Sequence, residues 1–280
     1  MPELKKEDFN QKDKSGIAEV FNSKYGEPIA FGYTADIYKS GDRAIKVFSG
    51  EFGKPEVFRE AYAMACVEKA GVKIAKILDV HEEGGFWVTE SEFIEGKDLL
   101  GGVFACSMQG NIAGAQDIIR RTARIQADFN QRDAKGLPQY KDYAADVIRS
   151  SSYLEDGCKE RTLSYLKELP DGRGIVHGDF HPQQVVADEA GELTVLDWVE
   201  AGAGALGCDA ARTYMNFMFL PPVPPLMNPE LKLAETYLEA YTEATGITKE
   251  DIEKWLPIHA AISYGEKADW FNAGIKPYLL

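Results

Sequence analysis

The hydrophobic pattern of the chain changes character about a third of the way along it. Residues 28–95 read as short strands separated by turns, with one helical segment among them. Beyond them long helical patterns dominate, and a short β unit at 174–197 interrupts these. Strands followed by helices indicate an α+β protein. We therefore predict a small β-rich lobe with one main helix (1–95), joined at about 92–96 to a larger, mostly helical lobe (96–280).

Two predicted hairpins and a strand between them make up most of the β-rich lobe. The segments "PIAFG" and "ADIYK" flank Gly32 and predict the first hairpin, and "RAIKVF" (43–48) is an apolar strand. Glycines at 84–85 mark the turn of the second hairpin. Proline is favoured in the first helical turn and glycine just past the last one. The single helix should therefore begin at Pro55 and end near Gly71.

The second lobe carries helical periodicity over several long stretches. Thr248 followed by Asp251 has the form of a capping box, which marks a helix start. The predicted helices cover 112–130, 140–156, 158–169 and 229–246, and a last one begins after Thr248.

Charge and cysteine spacing exclude several classes of protein. The 31 Lys and Arg residues are outnumbered by 45 Asp and Glu residues, so the net charge is −14. A general nucleic-acid binder shows a basic face instead, and we expect no nucleic-acid partner. The four cysteines lie far apart, which favours free thiols over disulfides or zinc. With no apolar run near about 18 residues and no signal peptide, we expect a cytoplasmic protein without a membrane partner. The oligomeric state stays open.

The segment "HGDFHPQQ" (177–184) places two histidines, a carboxylate and a proline within eight residues. His177 and His181 have the i, i+4 spacing of helical metal ligands. Gly178 and Pro182 make a helix improbable here, so a zinc site is disfavoured.

The strands that follow this segment predict a second arrangement. "QVVAD" and "ELTVL" flank the turn "EAG", and pairing Val185 with Leu196 places Gln184 opposite Asp197. An amide oxygen beside a carboxylate suits a hard cation such as Mg²⁺. Asp179 would then lie at the mouth of the site, where it can orient a hydroxyl group. These are the parts that phosphoryl transfer requires.

Two charged residues in the first lobe complete this set. Lys46 lies within the apolar strand at 43–48, and Glu60 lies on the apolar stripe of the following helix. Each charge needs a partner if it is buried. Pairing them satisfies both and leaves the ammonium group near the nucleotide phosphates.

Taken together, these motifs resemble the aminoglycoside phosphotransferase and choline kinase superfamily. The resemblance is carried by "HGDFHP", "LDW" and the glycine-rich "EAGAGALGCDAAR". Weaker matches, "AIKVF", "FREAYAM" and "SEFIEGKDL", follow the family's order, and the resemblance spans about 28–270. It implies a bilobal, protein-kinase-like fold with the nucleotide between the lobes and a catalytic β-hairpin in the helical lobe.

The resemblance also implies a role for each matching residue. Asp179 would be the catalytic base, and Asp197 with Gln184 would hold Mg²⁺. Lys46 would contact the phosphates of ATP or GTP, with Glu60 holding it in place. His177 and Asp209 would brace the catalytic loop. Further nucleotide contacts would come from the first hairpin turn and from the connection between the lobes, at Gly32, Tyr33, Thr34, Glu92 and Ile94.

Two departures from the family pattern leave an alternative open. The family usually has asparagine where this chain has Gln184, and the phosphate loop "AFGYTADIYK" has a single glycine. We predict a Mg²⁺-dependent O-phosphotransferase that acts on a hydroxyl of an aminoglycoside, sugar or amino alcohol. The alternative is a nucleotide-binding pseudokinase with impaired catalysis that regulates a partner. Four aromatic residues are candidates for the lining of an acceptor pocket, and the alternative is that they belong to the core. They are Trp198, Trp255, Tyr264 and Trp270.

Overall fold

The β-rich lobe is built on a single antiparallel sheet. The computed structural model describes residues 14–32, 34–265 and 268–280. The strands of the sheet are β1 (Ala30–Phe31), β2 (Ala35–Ser40), β3 (Arg43–Phe48), β4 (Ile77–Glu83) and β5 (Phe86–Glu92). They lie in the order β1-β2-β3-β5-β4, and both predicted hairpins are present.

Helices cover both faces of this sheet. Because side chains alternate along a strand, each face presents its own apolar set. Helix α1 (Ile17–Tyr25) packs Ile17 and Phe21 against one face, at Tyr38 and Val47. Helix α2 (Lys54–Lys69) begins with a proline in its first turn, as predicted, and packs against the other face. Sequence periodicity did not predict α1.

Nine helices are described in the second lobe. They are α3 (Leu99–Met108), α4 (Ile112–Asn130), α5 (Tyr140–Ser150), α6 (Asp156–Glu168), α7 (Leu206–Met218), α8 (Leu233–Thr245), α9 (Lys249–Glu253), α10 (Leu256–Ser263) and α11 (Asp269–Ile275). The α4 prediction is confirmed, and Thr248 and Asp251 form the predicted capping box.

Two predicted helices were too long. Helix α5 ends at Ser150, because serine side chains compete with the helical backbone for hydrogen bonds. Ser151 is extended, and its Oγ accepts from the N–H of Tyr153 at 3.3 Å. The helix predicted at 229–246 begins as a short 3₁₀ helix and is broken at Lys232, whose φ of 46° is left-handed.

Short strands in the second lobe build the loop that carries the central motif. They are β6 (Lys97–Asp98), β7 (Gly174–Val176), β8 (Val185–Ala187), β9 (Leu193–Val195) and β10 (Gly202–Gly204). Strands β6, β8 and β9 form one small sheet, and β7 pairs with β10.

The predicted register of the hairpin was wrong by one residue. Val185 pairs with Val195, not with Leu196. The reason is the turn: Asp188 N–H donates to the carbonyl of Glu192 at 3.0 Å, which leaves a three-residue loop closed by Gly191 at φ 79°. A three-residue loop of this kind sets the pairing of the strands that it joins.

The two lobes share one apolar cluster. Residues of α2, including Met64 and Val67, pack with residues of the second lobe such as Ile175, Phe180 and Trp198. A larger, separate cluster fills the helical lobe itself. The α+β, bilobal architecture predicted from the sequence is thus confirmed. Within the described ranges, no helix is both long and apolar enough to cross a membrane.

Candidate active site

A buried carboxylate anchors the loop that carries the central motif. Asp209, in the first turn of α7, accepts hydrogen bonds at Oδ1 from the backbone N–H groups of His177 (3.1 Å) and Gly178 (2.8 Å). Its Oδ2 accepts from Gln126 Nε2 (3.0 Å) and Asn130 Nδ2 (2.8 Å). Four donors satisfy a buried carboxylate, and the loop is held to α4 and α7 as a result.

The two histidines of the motif contact different groups. His177 is fully buried, its Nε2 lies 2.9 Å from the carbonyl oxygen of Leu196, and its ring packs 4.6 Å from that of Trp198. His181 Nε2 lies 3.4 Å from Gln184 Nε2. This geometry agrees with a bracing role for His177 and not with a shared metal.

Asp179 is partly exposed and contacts α7. Its Oδ1 accepts from Arg212 Nε at 2.9 Å and from Asn216 Nδ2 at 3.1 Å. The Asp179 side chain is 30% exposed, whereas that of Arg212 is only 3% exposed. Burial disfavours the charged guanidinium, but the carboxylates of Asp179 and Glu200 outweigh this and raise the pKa of Arg212.

Sequence reasoning missed Arg212 and Asn216. A signal for the first was present: Asp209 and Arg212 are the charged residues of α7, and both lie among apolar or small neighbours. An arginine in such a helix needs an anionic partner. Nothing in the sequence identified Asp179 as that partner.

Lys46 contacts residues of both lobes. Its Nζ lies 2.7 Å from Glu60 Oε1 on α2 and 3.1 Å from Asp197 Oδ1 at the end of the hairpin. The first contact is the predicted pair. Burial disfavours the charged ammonium, but the two carboxylates outweigh this and raise the pKa of Lys46. Burial also opposes ionisation of Asp197, yet Lys46 prevails and lowers the pKa of that carboxyl.

Gln184 and Asp197 lie side by side despite the shifted register. Gln184 Nε2 donates to Asp197 Oδ2 at 3.2 Å, and the carbonyl of Gln184 accepts from Leu196 N–H at 2.8 Å. Asp197 has a left-handed φ of 63°, an unusual conformation for a residue other than glycine. A carboxylate and an amide oxygen are donors that fit Mg²⁺, provided that the amide turns Oε1 towards the ion.

The remaining residues that were predicted to contact the nucleotide lie at the edge of the first lobe. Gly32 and Thr34 belong to the turn between β1 and β2, where Gly32 N–H donates to the carbonyl of Ala35 at 2.8 Å. Tyr33 lies outside the described residues. Glu92 ends β5, and Ile94 lies in the connection to β6.

Two of the four candidate pocket aromatics belong to the core. Trp198 and Trp255 are 0% and 1% exposed. Trp270 and Tyr264 are partly buried and pack against the core of the helical lobe. The core alternative therefore holds for the first two, and they cannot line an acceptor pocket.

The comparison with protein-family models gives one match that covers most of the chain. The model of the phosphotransferase enzyme family matches residues 27–255. No curated protein matches the chain.

Solved structures of similar fold have low sequence identity to this chain. An aminoglycoside-3'-phosphotransferase of type VIII has a TM-score of 0.59 at 15% identity, covering 84% of this chain and 91% of that one. The aminoglycoside phosphotransferase APH(3'')-Id from Streptomyces rimosus has a TM-score of 0.61 at 13% identity, covering 91% and 100%.

The choline kinase LicA from Streptococcus pneumoniae has a TM-score of 0.59 at 15% identity, covering 89% of both chains. Its complex with AMP has a TM-score of 0.58 at 15% identity, covering 89% of this chain and 87% of that one. At such identities the likeness shows a common fold.

Proposed function

Since this chain belongs to the phosphotransferase enzyme family, we propose that it transfers the terminal phosphoryl group of ATP or GTP to a hydroxyl group of a small molecule. The observation that carries the proposal is the contact of 3.1 Å between Lys46 and Asp197. It brings a cation of the first lobe and a carboxylate of the second to one point in the cleft, near Asp179.

Lys46 is the group that would stabilise the phosphates from the first lobe. Its ammonium remains charged at neutral pH, because its pKa is raised by Asp197 and Glu60 despite burial. Glu60 is buried in α2 and holds the ammonium at 2.7 Å, so Lys46 keeps its place when the nucleotide enters. Gly32, Thr34 and the connection at 92–94 would bind the rest of the nucleotide, and Tyr33 stays a prediction.

Asp197 and Gln184 would hold the metal. Their carboxylate and amide oxygens form a hard donor set, which suits Mg²⁺. Because the pKa of Asp197 is lowered by Lys46, its carboxylate is ionised at neutral pH. When bound, Mg²⁺ screens negative charge on the triphosphate.

Asp179 would act on the acceptor. Its carboxylate accepts a hydrogen bond from the acceptor hydroxyl and orients that hydroxyl towards the γ-phosphorus atom. It takes up the proton as the new P–O bond forms and the bond from the γ-phosphorus to the β–γ bridging oxygen breaks, which releases the nucleoside diphosphate. Phosphoryl transfer depends mostly on positioning and electrostatic stabilisation. These few groups are therefore sufficient for the reaction.

The names of the structural neighbours suggest aminoglycosides and choline as the first acceptors to test. Sugars and other amino alcohols complete the panel. Each would be incubated with ATP or GTP and Mg²⁺, and phosphorylated product would be detected by mass spectrometry. We expect transfer to at least one acceptor. Bound nucleotide without transfer to any acceptor would instead identify a nucleotide-binding regulator, for which the glutamine at position 184 is the specific sequence signal.

Asp179→Ala provides the test of the assigned base. We expect kcat to fall by about 10²–10⁴-fold, the usual contribution of a positioned acid or base. Nucleotide affinity, measured by calorimetry, should stay at the wild-type value, since Lys46 and Asp197 are unaltered. Near wild-type turnover in this variant would contradict the assignment.

A further inference from the structure

Helix α7 holds the catalytic loop at two levels. Asp209, Arg212 and Asn216 are spaced three and four residues apart, so they lie on one face of the helix. Asp209 binds backbone N–H groups at the start of the loop. Arg212 and Asn216 bind the carboxylate of Asp179 itself, at 2.9 Å and 3.1 Å.

The guanidinium of Arg212 is itself fixed at two points. Its Nε donates to Asp179, and its Nη1 donates to the hydroxyl oxygen of Ser263 on α10. The side chain is 3% exposed, and a buried charge without partners costs several kcal/mol. Because the guanidinium is planar and rigid, fixing two of its nitrogen atoms fixes the direction in which Nε points.

We propose that Arg212 and Asn216 are positioning residues that set the plane of the Asp179 carboxylate and so fix its orientation towards the acceptor hydroxyl. A carboxylate oxygen has about two lone-pair sites, and Oδ1 already accepts from two donors. The inference rests on the proposed phosphotransferase function. Asp209 binds backbone N–H groups of the loop, whereas Arg212 and Asn216 bind the side chain of Asp179.

The size of the effect follows from how sharply transfer depends on geometry. Displacing a reacting group by about 1 Å can lower the rate by about 10²-fold. We expect Arg212→Met to lower kcat by about 10²-fold with the nucleotide KM unchanged, because Lys46 and Asp197 stay in place. Arg212→Lys should recover part of this loss, since it keeps the charge and one donor. Asn216→Leu should cost about tenfold, because one neutral donor is lost.

Thr213→Val is the matched control on the same helix. Thr213 Oγ1 donates to the carbonyl of Phe180 at 2.9 Å, so the variant loses a bond to the loop without touching the carboxylate. It should lower the melting temperature and leave kcat per folded molecule close to the wild-type value. The folded fraction of every variant is measured by circular dichroism before the kinetics are compared.

The outcomes separate the inference from the function on which it rests. If the wild-type enzyme is active and Arg212→Met has the same kcat, the inference is overturned while the proposed function stands. An equal loss in Thr213→Val would also overturn it, since loop stability would then explain the effect. If Arg212→Met does not fold, Asn216→Leu and Arg212→Lys decide by the same criterion. A wild-type chain that binds ATP but phosphorylates nothing overturns the function, and the inference with it.

Discussion

Gln184 is the position at which this chain departs from the usual residue of its family. The extra methylene lets its amide nitrogen reach Asp197 Oδ2 at 3.2 Å from a backbone that is already bound to Leu196. Asparagine has the same amide on a shorter stem. The glutamine therefore preserves the donor chemistry and alters the reach.

Gln184→Asn tests whether that reach matters. We expect kcat to equal or exceed the wild-type value, because asparagine keeps the amide oxygen and is the residue that the family usually has here. The dependence of the rate on Mg²⁺ concentration is the measurement that reports on this site. Inactivity of the variant would mean that the longer side chain has a specific role.

His259 predicts an acid-sensitive contribution to stability. Burial lowers its pKa to about 3, with Arg212 adding to the effect, and its Nε2 donates to the carbonyl of Cys208 at 2.7 Å. In the unfolded chain the pKa of histidine is about 6.5. Between these values the unfolded state binds a proton that the folded state does not, so this stability is present above about pH 6.5 and is lost on acidification.

His259→Gln should reduce that loss, because glutamine can donate to the same carbonyl and does not titrate. By pH 5 the wild-type protein should have lost about 2 kcal/mol of its free energy of unfolding through His259. Urea unfolding at pH 7 and pH 5 would show a smaller decrease in the free energy of unfolding for the variant. The same decrease in both proteins would place the acid sensitivity on other groups.

At the scale of elements, α7 packs very closely on α9. Gly207, in its first turn, packs so closely on α9 that a Cβ atom would lie 2.1 Å from the carbonyl oxygen of Asp251. Glycine here serves close approach of two backbones and not a special φ. The same helix carries Asp209, so the position of the loop that begins at His177 depends on this packing.

Gly207→Ala should therefore destabilise the protein by about 1–3 kcal/mol, the usual cost of overpacking. Gly50→Ala is the control, because a Cβ at that position meets no atom within 4 Å. Thermal unfolding of both variants checks the difference. A higher melting temperature for Gly207→Ala would show that helix propensity outweighs the clash.

At the scale of the molecule, the two lobes are not independent. Met64 and Val67 of α2 share an apolar cluster with Phe180 of the second lobe. Val195 N–H of β9 also donates to the carbonyl of Lys73 in the segment that follows α2, at 3.0 Å. Unfolding the first lobe would expose apolar surface of the second.

We therefore expect calorimetry to show a single unfolding transition in which both lobes take part. Mg²⁺ with nucleotide at about 100 times the dissociation constant should stabilise the folded state by about 2.7 kcal/mol. Two well-separated transitions, with only the first moved by nucleotide, would show that the shared cluster does not couple the lobes.

Local patterns predicted the elements well where a single rule applied. The strand at 43–48, the helix that begins near Pro55 and the hairpins follow from alternation, proline and glycine within a few residues. Predictions failed where two local tendencies compete. At Ser151 side-chain hydrogen bonds end a helix whose hydrophobic period continues, and at Lys232 the backbone turns left-handed within an apolar stripe.

The site itself was predictable in part. The pairing of Lys46 with Glu60 was inferred because two charges on apolar stripes need each other, and the structure has it at 2.7 Å. The predicted strand pairing placed Gln184 opposite Asp197, although its register was wrong by one residue. The two side chains nevertheless meet, and Asp197 has a left-handed backbone there.

The strands of the first lobe, several long helices and the two-lobed α+β division follow from the sequence, because these depend on periodicity and composition over short stretches. Which of the polar side chains of the site meet depends instead on the tertiary packing. Lys46 and Asp197 are 151 residues apart in sequence, and Arg212 finds Asp179 across 33. Such contacts are set by how whole elements pack, and the energy that selects the packing is spread over many buried residues.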